Sequence, residues 1–110
     1  MAKARVYSRY SIEAASLLGK QVKLGRKQRK WTERDLADRA GISRATLQKI
    51  EKGDLTCAIG LVFEVAVLVG MKLFEPEVNS LAGHIERTDD KITLLPKSMR
   101  KNRKVLDDDF

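Results

Sequence analysis

The chain contains very few of the residue types that build cross-links, metal sites or stacking surfaces. Among its 110 residues there is one cysteine, Cys57, and one histidine, His84. A single cysteine cannot form an internal disulfide framework or a cysteine-based metal site, so Cys57 is expected to be a small core residue. Aromatic residues make up 5% of the chain, too few and too scattered for a platform that stacks RNA bases. The sequence therefore predicts no metal and no cofactor.

Long hydrophobic runs are also missing. The longest apolar stretch, residues 58–69, is interrupted by Gly60 and Glu64 and is too short to span a bilayer. The N-terminus has no apolar segment of signal length. No glycine-rich phosphate loop occurs, and no nucleophile stands beside a candidate base. We therefore expect a non-enzymatic, intracellular protein with no catalytic residues and no membrane contact.

Positive charge is concentrated in the first half of the chain. The net charge is +7, yet residues 1–53 hold 14 Lys or Arg against 5 Asp or Glu. Residues 54–96 hold 3 against 7, and residues 97–110 hold 5 against 3. A basic half of this kind favours a polyanionic partner, with a merely solvated basic surface as the alternative.

The first part of the chain has the apolar spacing of a helix over residues 12–30. Four apolar residues fall near one face of it: Ile12, Ala15, Leu18 and Val22. Ser11 precedes them and is the predicted N-cap, and residues 1–10 are predicted to be a flexible basic arm. Gly19 and Gly25 are expected to weaken this helix by roughly 1 kcal/mol each if they are exposed.

Residues 32–53 have the pattern of two short helices joined by a tight turn. Thr32 is the predicted N-cap of the first helix, and Gly41 is its predicted C-terminal stop. Ser43 is the predicted N-cap of the second helix, which should cover residues 44–52. The apolar residues of this unit are predicted to face the core: Leu36, Ala37, Ile42, Leu47 and Ile50.

The remaining sequence predicts a fourth helix and two short strands. Residues 56–69 form the helix, and they are apolar over more than one face, which on a small domain favours a partner subunit. Residues 71–75 alternate apolar and charged as a half-buried strand does, and residues 91–96 are a candidate second strand. A lone strand needs a partner, and the same strand of a second copy is the simplest one.

We therefore divide the chain into three parts. The basic arm over residues 1–10 is followed by a DNA-binding and dimerisation domain over residues 11–76. A C-terminal extension over residues 77–110 follows, and its last part, residues 97–110, is expected to be disordered when alone.

The second helix of the two-helix unit carries the chemistry that suits DNA. In such units this helix enters the major groove with its N-terminal end first. The candidates for base contacts are Ser43, Arg44, Ala45, Thr46, Gln48 and Lys49. The candidates for contacts with the DNA backbone are Lys20, Arg26, Arg29, Lys30, Thr32, Glu33 and Arg34. Arg26 has a structural alternative, an ion pair with Glu51, and Trp31 is expected to be a packing anchor.

These residues resemble the lambda-repressor-like helix-turn-helix family of the Xre/Cro type. The shared pattern combines Thr32, Leu36-Ala37, Gly41-Ile42-Ser43, Leu47 and Ile50-Glu51-Lys52-Gly53. The resemblance implies an all-α bundle of four to five helices, here with a short C-terminal strand that pairs across a dimer. The family typically has Gln where this chain has Glu33, a position that often contacts DNA.

Beyond this core the chain resembles HipB-type antitoxins, which dimerise through a short strand after the helices. The resemblance implies a homodimeric repressor of its own operon that binds palindromic operator DNA and a HipA-like kinase toxin. It places the protein in the bacterial cytoplasm, on the nucleoid when bound there, and it assigns dimerisation to Met71, Leu73 and Phe74. Two alternatives remain open at this point: a stand-alone Xre-type phage or chromosomal regulator, and an adaptor that uses the same fold for protein contacts only.

Overall fold

Five helices make up the regular structure of the described residues. A computed structural model describes residues 5–74 and 80–99. The helices are α1 (Arg9–Gln28), α2 (Glu33–Ala40), α3 (Arg44–Glu51), α4 (Ile59–Leu68) and α5 (Leu81–Thr93). The chain divides into two units, with α1 to α4 in the first, which ends at Leu73, and α5 in the second, which begins at Phe74. The all-α class is therefore confirmed for the part of the chain that the structure describes.

Helix α1 begins earlier than the sequence predicted. Its N-cap is Ser8, whose Oγ accepts a hydrogen bond from the backbone N–H of Ser11 at 3.2 Å. The predicted cap at Ser11 is wrong because both serines satisfy the capping rule and the upstream one adds nearly a full turn of helix. Part of the arm predicted over residues 1–10 is thus helical, while residues 1–4 lie outside the described residues.

The two-helix unit has the predicted caps. Thr32 Oγ1 accepts from the Asp35 N–H at 3.1 Å, and Asp35 Oδ2 accepts from the Thr32 N–H at 2.8 Å, so two free amides of the first turn are satisfied reciprocally. The hydrogen bond from the Thr32 N–H is the main cause that holds the pKa of Asp35 below its usual value. Gly41 ends α2 with φ 70°, a left-handed conformation that favours glycine. Ser43 caps α3 by accepting from the Thr46 N–H at 3.1 Å.

Side chains from α1, α2, α3 and the α4 region meet in one hydrophobic core. The buried members are Val22, Leu36, Ala37, Leu47, Ile50, Val65, Ala66 and Val69. Burying a side chain such as Leu36 stabilises the fold by about 1.5–3 kcal/mol relative to leaving it exposed. Ile42 packs against this core but is only half-buried. Ile12, predicted on the inner face of α1, is 51% exposed and lies outside the core.

Two glycines of α1 have a different role from the predicted one. Gly19 and Gly25 are buried, and each lies where another part of the first unit approaches the helix closely. A Cβ at Gly19 would lie 2.5 Å from the carbonyl oxygen of Ile50, and a Cβ at Gly25 would lie 2.8 Å from Cβ of Val69. These glycines therefore let α1 pack closely, rather than weakening an exposed helix.

The segment after α4 differs from the prediction. Gly70 follows α4 with φ 84°, and no strand occurs among the residues that the structure describes. The strand predicted over residues 71–75 is therefore not shown, and its last residue lies outside the described part. The second predicted strand, over residues 91–96, is wrong because its first three residues belong to α5. Short apolar runs of this kind do not distinguish strand from helix.

Two features of the sequence explain why α5 forms, its N-cap and the spacing of its apolar residues. Ser80 caps it by accepting from the Gly83 N–H at 3.1 Å. Leu81, Ile85 and Ile92 stand four and seven positions apart, which places them on one helical face. All three are exposed within the described residues. No helix in residues 5–74 and 80–99 is long and apolar enough to cross a membrane.

Candidate nucleic-acid interface

Helix α3 turns one side to the core and the other outward. Leu47 and Ile50 are buried. The predicted base-contact set comprises Ser43, Arg44, Ala45 and Lys49, which are exposed, and Thr46 and Gln48, which are half-buried. Because the inward pair fixes the rotation of α3, these six side chains lie on the parts of α3 and its cap that are turned away from the buried pair.

Glu33 links the start of α2 to two of these side chains. Its Oε1 accepts from Nε of Arg44 at 3.0 Å and from Nε2 of Gln48 at 3.1 Å. These hydrogen bonds, first from Gln48 and then from Arg44, hold the pKa of Glu33 below its usual value. The sequence prediction placed Glu33 among the DNA-backbone contacts and did not foresee this link. The feature of the sequence that could have indicated the link is Glu33 itself, because it stands where the family that this chain resembles typically has Gln.

A cationic groove lies beside this cluster. It is a cavity of about 580 Å³ whose lining residues come from α1, the N-terminal end of α2 and the start of α3: Lys23, Arg26, Lys27, Thr32, Glu33, Arg34 and Arg44. The dipole at the N-terminus of α2 adds to its positive potential, and the carboxylates of Glu33 and Asp35 in the first turn oppose it. The arrangement suits a phosphate, because three exposed cations, Lys23, Lys27 and Arg34, converge there.

Two lysines in this groove do not belong to the predicted set of DNA-backbone contacts. Lys23 and Lys27 are four residues apart on α1, so they are neighbours on its surface. Lys20, which was predicted, precedes Lys23 by three residues and is also exposed. The signal that could have found this set is the i, i+3, i+7 spacing of the three lysines, which places them on one helical face.

Arg26 lines the cationic groove, but its hydrogen bonds are made within the protein and stabilise the fold. Its side chain is 7% exposed, its Nε donates to Glu51 Oε2 at 2.8 Å, and its Nη2 donates to Glu51 Oε1 at 3.1 Å. Its Nη1 donates to the Trp31 carbonyl at 3.0 Å. The hydrogen bond to Glu51 raises the pKa of Arg26 further above its usual value. The ion pair named as the alternative for Arg26 is present, and it ties α1 to α3.

Some of the neighbouring cations make contacts within the protein, and others are exposed at the surface. Arg29 Nη1 donates to the Val69 carbonyl. The guanidinium carbons of Arg29 and Arg39 lie 5.7 and 4.3 Å from the centroid of the Trp31 ring. These two cation–π contacts and the half-buried position of Trp31 agree with the prediction that Trp31 is a packing anchor. Lys30 and Arg34 are exposed, so their side chains remain accessible to a phosphate.

Comparison with known proteins agrees with this geometry. Residues 22–70 match the family model described as helix-turn-helix. A solved structure named MDT Protein has a TM-score of 0.51 and 23% identity, over 66% of this chain and 94% of that chain. That likeness shows the fold alone. No curated protein matches the chain. Over residues 22–70 the chain is therefore similar to helix-turn-helix proteins of the lambda-repressor/Xre type, which supports a DNA-binding transcription regulator.

Proposed function

We propose that this chain, with its helix-turn-helix domain over residues 22–70, is a sequence-specific repressor that reads operator DNA through α3. The observation that carries the proposal is α3 itself. Its buried Leu47 and Ile50 fix its rotation, and Arg44 projects from its first turn with 67% of the side chain exposed. In the major groove this end of the helix reaches the base edges.

The outward side chains have the donors and acceptors that base pairs require. Arg44 can donate to guanine O6 and N7 together, and Gln48 can pair with adenine N6 and N7. Ala45 and the Thr46 methyl group can contact a thymine methyl group. The hydroxyl of Ser43 donates to Thr46 Oγ1 at 2.9 Å, which orients that methyl group by fixing the threonine side chain. This set is sufficient to select a short half-site.

The cationic groove supplies the part of the binding that does not depend on sequence. Lys20, Lys23 and Lys27 on one face of α1, together with Arg34, would contact phosphates and set the register of α3 in the groove. Each phosphate contact makes the association constant fall by about one power of the salt concentration. The proposal therefore requires binding that weakens steeply as salt rises.

Replacing Arg44 or Gln48 by alanine should relax the base preference at particular positions of the operator. Each bidentate pair supplies about 1–3 kcal/mol of discrimination, so preference at one or two base pairs should fall about tenfold or more. The measurement is selection from a randomised DNA duplex pool with the full chain, followed by sequencing. Arg87→Ala, the same change in α5, is the matched control. An unaltered preference in both α3 variants contradicts the assignment.

A Lys27→Ala variant separates the two classes of contact. It should weaken binding to all duplexes alike and lower the salt slope by about one, with the base preference intact. A changed base preference in this variant would show that the groove, rather than α3, reads the sequence.

We also propose that the repressor acts as a homodimer. Ile59, Phe63 and Val67 are exposed apolar residues of α4 at four-residue spacing, so they form one stripe on its surface. Met71, Leu73 and Phe74 follow α4 and stay the predicted residues of a strand that pairs between two copies. Two copies related by a two-fold axis would read a palindrome with half-sites about one helical turn apart.

Changing Val67 to Asp should dissociate this dimer, because it places a charge in the apolar stripe. Sedimentation should show a monomer, and affinity should fall for a two-half-site duplex but remain the same for a single half-site. Ile12→Asp introduces the same charge on α1, where the residue is 51% exposed. A dimer that survives Val67→Asp and is lost with Ile12→Asp would move the interface to α1.

The resemblance to HipB-type antitoxins supports a narrower role, in which the repressor controls its own operon and binds a HipA-like kinase toxin. The test is a pull-down with the full chain from the native cell, together with the identity of the adjacent gene. A kinase-like partner encoded next door supports the antitoxin role. Operator binding without such a partner supports the stand-alone regulator, and a protein partner without any DNA binding supports the adaptor.

A further inference from the structure

The most unusual feature of the interface is a carboxylate among its cations. Glu33 lies at the first position of α2, and 28% of its side chain is exposed. One of its oxygens accepts from both Arg44 and Gln48, which are four residues apart and therefore neighbours on α3. These are the two side chains with the strongest capacity for base discrimination. Any effect of Glu33 on their orientation is an effect on base reading.

The bonding pattern leaves both side chains able to read bases. Arg44 donates to Glu33 through Nε only, so its two terminal amino groups stay available for a guanine edge. Gln48 donates through one N–H of its amide, so its second N–H and its carbonyl oxygen stay available for an adenine edge. Glu33 can therefore keep its hydrogen bonds while both residues contact DNA.

A carboxylate also fixes an orientation that an amide would not. An ionised carboxylate only accepts hydrogen bonds, so Gln48 must turn its NH2 group, and not its oxygen, toward Glu33. A glutamine at the same position could donate or accept, which would allow the Gln48 amide to rotate by half a turn. The charge of Glu33 thus selects one of two orientations of the amide that faces the DNA.

The same charge opposes phosphates in the groove. Glu33 lines the cavity together with Lys23, Lys27 and Arg34. A negative charge within a Debye length of the DNA backbone weakens binding to every sequence alike. Contacts that Arg44 and Gln48 make with the correct bases recover affinity only at the operator. Such a uniform weakening leaves the ratio of specific to non-specific affinity unchanged, so an effect of Glu33 on that ratio must come from the orientation of Arg44 and Gln48.

From this geometry we propose that Glu33 is a positioning residue that raises the specificity of DNA binding by orienting Arg44 and Gln48, while its charge weakens the phosphate contacts with every sequence. The inference rests on the proposed function, since it needs α3 to read DNA. It assigns a role to the residue at which this chain departs from the family that it resembles.

The test compares Glu33→Gln and Glu33→Asp with the unchanged chain. The probes are a duplex of about 20 base pairs, enough for two half-sites, taken from the randomised-pool selection, and a shuffled duplex of equal composition. Glu33→Gln should bind the shuffled duplex about threefold to tenfold more tightly and lose about tenfold in the specificity ratio. Glu33→Asp keeps the charge but is too short for both bonds, so it should lose base preference without gaining affinity for the shuffled duplex.

Two further measurements separate positioning from other effects. In a background that lacks both Arg44 and Gln48 side chains, Glu33→Gln should cause no further change in base preference, because nothing remains to be oriented. Glu86→Gln removes the same charge from α5 and should leave the specificity ratio unchanged. Thermal unfolding should show that all variants are folded.

Each failure has a distinct meaning. If the unchanged chain binds no duplex at low salt, the proposed function and this inference both fail. If it binds and Glu33→Gln has the same specificity ratio, only the inference fails. An equal loss of preference with and without the Arg44 and Gln48 side chains would also overturn the positioning role.

Discussion

Replacing Arg26 by methionine should lower the free energy of unfolding by about 3–5 kcal/mol. The change leaves the Glu51 carboxylate, whose side chain is 5% exposed, without its charged partner in a region from which water is largely excluded. It also removes the donor to the Trp31 carbonyl. Urea denaturation followed by tryptophan fluorescence measures the effect, because Trp31 is the only tryptophan of the chain.

A second substitution tests the cause. Adding Glu51→Leu to Arg26→Met should recover much of the loss, because apolar residues of similar size can replace a buried ion pair. Arg34→Met is the surface control and should change stability by no more than about 0.5 kcal/mol. If the Arg26→Met variant keeps its stability but loses DNA affinity, Arg26 contacts DNA phosphates rather than stabilising the fold.

The helix-turn-helix unit could be predicted well because its features depend on neighbours in the chain. The caps at Thr32 and Ser43 each join residues three apart, and the turn at Gly41 needs only a residue that tolerates positive φ. Helix α2 accordingly has its predicted bounds, and α3 ends one residue before its prediction. The inward positions of Leu47 and Ile50 follow from helical spacing alone.

Other features depend on contacts that sequence spacing does not encode. The link from Glu33 to Gln48 joins residues 15 positions apart on different helices. Helix α1 begins at Arg9 because Ser8 and Ser11 are both competent caps, and local rules do not rank them. Residues 91–96 contain a short apolar run that suits a strand, but Leu81 and Ile85 extend its helical face and α5 results.

The predicted strand over residues 71–75 belongs to a third kind of feature. A strand that pairs only between two copies has no hydrogen-bonded neighbour within one chain. Its existence therefore depends on the dimer, and the Val67→Asp variant tests the two together. The apolar stripe of α4, with Phe63 and Val67 exposed, supplies the area on which such a dimer would rest.

Replacing Gly19 by alanine should destabilise the fold by about 3 kcal/mol, as overpacking against a rigid neighbour does. The added Cβ would lie 2.5 Å from the Ile50 carbonyl oxygen and 2.6 Å from that of Glu51. Both atoms belong to the backbone of α3, so no side chain can rotate away to relieve the clash. Helix α3 would have to shift from α1, which also strains the Arg26–Glu51 ion pair.

Gly60→Ala is the matched control, because it makes the same change in a helix without the clash. At Gly60 the structure places no atom of the described residues within 4 Å of the added Cβ, apart from those of its chain neighbours and its own helix backbone. Alanine should therefore stabilise α4, by at most about 1 kcal/mol. Equal responses to the two substitutions, measured by urea denaturation, would contradict the close packing of α1 on α3. Opposite responses would support the conclusion that the close packing of α3 on α1 depends on Gly19.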